Sequence, residues 1–210
     1  MTPFHFFVTH LPEILHATLA HMALVLLAMA IAIAIGVPLG MLIVNHSGLR
    51  SLALGLASVF QTIPSLALFG FLIPIPYLGG VGTRTAVVAL VLYALLPILR
   101  NTYVGLTNID SAVLEAAEAM GMTPAQILLR VRTPLALAVI LAGIRTATVI
   151  TIGVATIAAA IGAGGLGEFI FRGVAMVSDA VILAGAIPAA VLALVADSLL
   201  ALLERRLRVT

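Results

Sequence analysis

Residues 17–44 read ATLAHMALVLLAMAIAIAIGVPLGMLIV, a stretch without one charged side chain. As a helix rising 1.5 Å per residue, it exceeds the roughly 20 residues needed to cross about 30 Å of hydrocarbon. Working outward, further apolar stretches run over about Leu52–Ile73, interrupted by Pro64, then from Thr85 to Leu99 or a little beyond, over Pro134–Ile161 and over Ala180–Leu203. Across the chain 63% of residues are hydrophobic and 9% charged, with mean hydropathy +1.28, a balance no soluble domain requires. Ten-residue segments of alternating polarity are absent, which argues against a β-barrel. The expectation is an all-α, polytopic transmembrane protein with about five spans, forming a single membrane domain over residues 1–210.

The ends and linkers refine this. Residues 1–16 form an N-terminal segment in which Phe4, Phe6, Phe7, Leu11 and Leu15 mix with His5, His10, His16 and Glu13, a pattern suited to an interfacial helix. Met1–His21 has no basic start and no small-residue cleavage pattern, so it is not read as a signal peptide. The histidines, His21 and His46 included, lie along this end and the first loop. His16 and His21 are five apart, off the spacing of a metal pair, so no metal site is expected and an interfacial role is assigned to them. With no Cys, thiolate sites and disulfides are excluded.

The net charge of +2 comes from ten Arg against eight acids, with no Lys. The arginines are scattered rather than striped with aromatics, which sets nucleic acid aside. Arg50, Arg100, Arg130, Arg132, Arg205, Arg206 and Arg208 fall on one side of the spans and only Arg84 and Arg172 on the other. The positive-inside rule places the first side in the cytoplasm, the C-terminus with it, and the N-terminus outside.

From Arg100 to Pro134 the polarity rises. Asp110 or Ser111 can cap a helix starting near Ala112, Gly121 suits a C-terminal cap, and Thr123-Pro124-Ala125-Gln126 reads as a capping box with Pro at the first helical position. Thr133-Pro134 repeats the start signal for the next span. Residues 110–133 are thus expected to form two short cytoplasmic helices joined by a tight bend. Ala116, Ala117 and Gly121 leave a face with little bulk, flanked by Glu115 and Glu118, as a docking knob for a partner; a linker lying on the membrane surface is the plainer alternative.

Glu115-Ala116-Ala117, three residues, Gly121, nine residues, then Val131-Arg132-Thr133-Pro134 resembles the EAA loop of ABC importer permeases, with Val131 in place of Ile and Thr133 in place of Leu. The stretches Gln61–Leu68, Tyr93–Tyr103, Ala142–Ala147 and Ile161–Gly167 are similar to permeases of osmoprotectant importers for glycine betaine, choline, carnitine and related quaternary amines. The resemblance covers about Leu19 to Arg206. It implies a type I ABC importer permease fold in a bacterial or archaeal cytoplasmic membrane. Glu115, Ala116, Ala117, Gly121 and Pro134 then belong to a loop that seats in an ATPase subunit. The implied partners are two ATPase copies and an extracytoplasmic substrate-binding protein. Five spans are few to enclose a path, so the unit is expected to be a homodimer, or to pair with a paralogous permease.

Without Lys the G-x-x-x-x-G-K-[ST] loop cannot exist, so the chain is read as a transport subunit and not an enzyme, with ATP bound by a partner and no cofactor of its own. Gly162-x-Gly164-x-x-Gly167 matches a dinucleotide fingerprint but follows a span, so Gly162, Gly164, Gly165 and Gly167 are assigned to a tight outer turn. Pathway or gate candidates are polar or kinked positions inside spans, where facing lipid is costly. Gln61, Pro64 and Ser65 form a kinked segment that faces either a pore or a packed helix. Tyr93 offers an aromatic face to a passing cation or packs in the core. Arg145 and Asp197 lie at similar depth and are expected to pair, as a brace first and a gate second. The alternatives are a permease of the same architecture for methionine or another small solute, and a stand-alone membrane channel.

Overall fold

The central element is Thr83–Thr107 (α5), the most enclosed of the long helices, and three others approach it closely. The computed structural model describes residues 3–207; Arg208, one of the seven arginines assigned to the cytoplasmic side, lies outside the described residues. In chain order the other helices are Pro3–Thr9 (α1), Leu11–Leu42 (α2), Ser47–Thr62 (α3), Ser65–Leu72 (α4), Ser111–Ala119 (α6), Pro124–Gln126 (α7), Thr133–Ala158 (α8), Gly167–Ala175 (α9) and Asp179–Leu207 (α10). Among the described residues there is no strand. Four helices are long and apolar enough to cross a membrane, and the bent α3–α4 pair is a candidate fifth span.

Small residues explain the packing of α5. Gly36 and Gly40 lie four apart on α2, so they share a face. A Cβ on Gly36 would sit 2.7 Å from Ile98 Cγ2, and one on Gly40 2.6 Å from Thr102 Cβ. From the other side, a Cβ on Gly143 of α8 would meet Asn101 Cβ at 2.5 Å and the Pro97 carbonyl at 2.7 Å. Small residues let backbones approach where burial from water cannot drive association. Around this contact Leu90, Ala94, Ile98, Ala28, Ala32, Ala147 and Ala155 form the main core. In contrast, α10 turns Leu183, Ile187, Val191, Leu194, Leu199 and Leu202 outward, a face that suits lipid.

Several boundaries differ from expectation. The helix break near the N-terminus falls at His10, so residues 11–16 belong to α2 and only α1 stands apart as a short element. The second stretch is sharply broken: α3 and α4 meet at 106°. Pro64 disfavours the helical region for its predecessor, and Ile63 is extended at φ −70°, ψ 128°. The third helix continues past Leu99 to Thr107 and absorbs Pro97.

The polar excursion forms as read as far as Gln126. Asp110 Oδ1 accepts from Ala112 N–H at 2.9 Å, Gly121 has φ 77°, and Thr123 and Gln126 close a reciprocal capping box. The second short helix does not end there. It widens into a π-helical turn over Ile127–Arg132 and runs on into α8, with Arg132 and Thr133 both helical. Thr133–Pro134 is therefore not a fresh start. Pro134 has no N–H to give, and its ring would collide with the carbonyl four residues back in a regular helix; the wider turn relieves both problems without breaking the rod. The Thr133 hydroxyl donates to the Leu128 carbonyl at 2.7 Å across this turn.

Gly143→Ala should lower the stability of the detergent-solubilised protein by about 1–3 kcal/mol, the usual cost of overpacking. Gly48→Ala, where an added Cβ meets nothing within 4 Å, is the matched control. Equal melting temperatures for the two variants would contradict the close-approach account.

Candidate functional site

The bundle has two ends. The start of α2, the loop before α5, the turn after α8 and all of α9 meet at one; for instance Gly82 N–H donates to the Ile161 carbonyl at 2.7 Å. The other gathers the end of α2, the start of α3, the end of α5, α6, α7 and the end of α10. Arg50, Arg100, Arg130, Arg132, Arg205 and Arg206 lie at this α6 end, with Arg84 and Arg172 at the α9 end.

At the α6 end, Glu115 and Ala116 are exposed on α6, while Ala117 is 2% exposed and faces the body of the protein. The low-bulk outer face is therefore made by Ala112, Ala116 and Ala119. The small side chain of Ala117 instead lets α6 lie against the π-helical turn, correcting its expected place on the docking surface. Gly121 is exposed at the bend, and Pro134 is exposed beyond the turn. Nearby, Arg50 Nη1 donates to the Tyr103 hydroxyl at 2.7 Å and its guanidinium lies 5.5 Å from that ring, tying α3 to α5; sequence reading did not foresee this contact.

Midway, at the α3–α4 break, the Tyr93 hydroxyl donates to the Ile63 carbonyl. Tyr93 is buried and belongs to the main core, so it holds the break in place rather than offering its ring to a passing cation. Gln61 and Ser65 flank Pro64, half-buried, and Pro64 itself is exposed.

Arg145 and Asp197 do meet. Arg145 Nε donates to Asp197 Oδ1 at 2.6 Å and Nη2 to Oδ2 at 2.8 Å, a two-pronged pair whose planar geometry only Arg provides. Arg145 Nη1 also reaches Glu204 Oε2 at 3.5 Å. Glu204 is 7% exposed and was missed; its signal was its position seven residues after Asp197, two turns along the same face of α10. This network joins α8 to α10, whereas Tyr93, Gln61, Pro64 and Ser65 sit on α3, α4 and α5. The pathway candidates therefore divide into two groups.

At the α9 end, Gly162, Gly164 and Gly165 have φ of 76°, 81° and 83°, conformations that an L side chain strains to reach. A Cβ on Gly167 would come within 1.8 Å of the Thr156 carbonyl, so the turn also lets α9 lie on α8. This is the tight turn expected, with helix and not strand before it. His21 corrects the interfacial assignment. It is fully buried in α2, its Nε2 lies 3.2 Å from the Ile152 carbonyl on α8, and its Nδ1 faces Gly165, where a Cβ would stand 3.1 Å away. Among the described residues no group of His, Cys, Asp or Glu is arranged to hold a metal ion.

Residues 32–209 match the family described as "Binding-protein-dependent transport system inner membrane component". The choline transport system permease protein OpuBB of Bacillus subtilis is 43% identical over 195 residues, covering 93% of this chain and 88% of that protein. The osmoprotectant import permease protein OsmW of Salmonella typhimurium is 46% identical over 202 residues, covering 95% and 94%. The carnitine transport permease protein OpuCD of Listeria monocytogenes is 52% identical over 174 residues, covering 82% and 77%. In fold, the chain superposes on the inward-facing MetNI methionine ABC transporter with TM-score 0.83 at 23% identity, covering 92% of this chain and 95% of that one. It also superposes on an amino acid ABC transporter with TM-score 0.81 at 21% identity, covering 98% and 99%.

Because the Arg145 pair joins α8 to α10, Asp197→Ala should reduce the amount of folded protein in membranes and lower its melting temperature, by leaving a half-exposed guanidinium on the α8–α10 seam with only the longer Glu204 contact. Exchanging the two, Arg145→Asp with Asp197→Arg, should recover part of that loss. Single variants that melt like the parent would remove the bracing role.

Proposed function

The chain belongs to the family of binding-protein-dependent transport system inner membrane components, and from that premise we propose that it is the membrane-spanning permease of an ATP-driven importer for quaternary-amine osmoprotectants such as choline, carnitine or glycine betaine. Relatives named for these solutes share 41–52% of aligned residues with it over most of both chains, and this observation carries the substrate class. The likeness to the methionine transporter is one of fold alone.

In this reading the whole chain is one permease domain. Its α6 end, with six arginines, faces the cytoplasm, and α1 and α9 face outward. The exposed Glu115, Ala116 and Gly121 seat in the ATPase subunit, one on each of two copies, and an extracytoplasmic binding protein delivers the solute. A second copy of this chain, or a paralogue, completes the pathway along a two-fold axis. Gln61 and Ser65, half-buried at the break, are the polar positions we assign to that pathway.

Reconstitution in liposomes with the ATPase and binding protein tests the proposal. Uptake of a radiolabelled osmoprotectant should need ATP and all three components. Glu115→Arg should cut it by roughly tenfold or more while assembly persists, in the usual range of coupling between sites. Uptake by this chain alone without ATP would replace this reading with a channel.

A further inference from the structure

At the α9 end, between the start of α2 and the glycine turn, lies a cleft of about 540 Å³. Glu13 stands on its α2 wall, with His16 one turn on, and Glu168 and Arg172 stand on its α9 wall. Small groups line it as well, Ala17 and Ala20 on α2 with Gly164 and Gly165, and leave the space between the charged side chains open. Among the described residues Glu13, Glu168 and Arg172 form no ion pair within 4 Å, although all three line one concavity. The Arg172 guanidinium is not loose: it lies 4.7 Å over the Phe169 ring, which fixes it at the cleft rim.

Separate charges of both signs around one open cleft, Glu168 and Arg172 on α9 with Glu13 across from them on α2, match a ligand that carries both signs itself. Glu168 and Arg172 are four apart on one helix, neighbours by about 5–6 Å between Cβ atoms. A quaternary ammonium has no N–H to donate, so carboxylates such as Glu13 and Glu168 attract it by charge alone; a carboxylate is held best by a guanidinium.

We infer that this cleft is an entry site for zwitterionic ammonium carboxylates, with Glu13 and Glu168 holding the ammonium end and Arg172 the carboxylate end. The inference rests on the proposed osmoprotectant function and extends it by placing part of the discrimination between zwitterion and simple cation in the permease itself. The lining gives the site a mechanical neighbour: Gly165 is the residue packed against His21, which links α2 to α8.

The test compares uptake of carnitine, a zwitterion, with choline, which lacks the carboxylate, in the full reconstituted complex at saturating binding protein, normalised to assembled complex. Arg172→Gln should lower the carnitine-to-choline ratio roughly tenfold, the value of losing a hydrogen bond to a charged group. Arg172→Lys should restore most of it, and Glu168→Gln should depress both solutes. An unchanged ratio with Arg172→Gln, whether both solutes fall together or neither falls, would overturn the entry site alone. An unaltered complex that moves neither solute would overturn the proposed function and this inference with it.

Discussion

Everything in the bundle depends on how closely α2 and α8 approach α5. In lipid an apolar side chain gains little by leaving one apolar environment for another, so helix association rests on contact quality. The glycines at 36, 40 and 143 convert that requirement into geometry, because each places backbone where a methyl group would already collide. Once α5 is gripped from both sides, its own bulky residues, Leu90, Ile98 and Leu99, fill the remaining space and are almost wholly enclosed. The outer helices need far less: α10 leaves most of its surface outward and is retained by α8, α9 and α1.

Charge does for α10 what glycine does for α2. Along the seam with α8 the Arg145–Asp197 pair adds a directional contact, with Glu204 extending it one step toward the α6 end. Such a pair is no guarantee of stability, since its members give up hydration to meet. Its effect is on register. A two-pronged guanidinium–carboxylate contact fixes both the height and the rotation of α10 against α8, which a row of leucines would leave free to slide.

What could be read from the sequence follows from which forces are local. Hydropathy alone located the long helices, and the caps at Asp110 and Thr123 formed as their side chains required, because a cap is satisfied within four residues. Arg145 and Asp197 could be matched by depth, since two charges inside spans have few other places to go. The failures are non-local or depend on backbone geometry. Pro64 signalled an interruption but not its size, which is held where the Tyr93 hydroxyl, far along the chain, takes the Ile63 carbonyl. His21 looked interfacial beside its neighbours, yet its ring spans from α2 to a carbonyl on α8. The Gly36–Gly40 spacing was visible but went unread, and which helix it would face was not visible at all. Thr133-Pro134 has the form of a helix start, and only the widened turn before it shows how a proline can sit inside a continuous rod.

That continuity gives the proposed transport role a physical course. In that role a load on α6 would pass into the π-helical turn on which it rests, and from there into α8 without an intervening loop. α8 carries Gly143 against α5, Arg145 against α10, the Ile152 carbonyl against His21, and the Thr156 carbonyl beneath Gly167. One helix thus touches α2, α5, α9 and α10. Its glycine contact permits little independent shift against α5, so a displaced α8 must either carry α5 along or bend where its hydrogen-bond ladder is already irregular. The π-helical turn, where that ladder is irregular, lies between the exposed α6 and the close α5–α8 contact, so it is where such bending costs least.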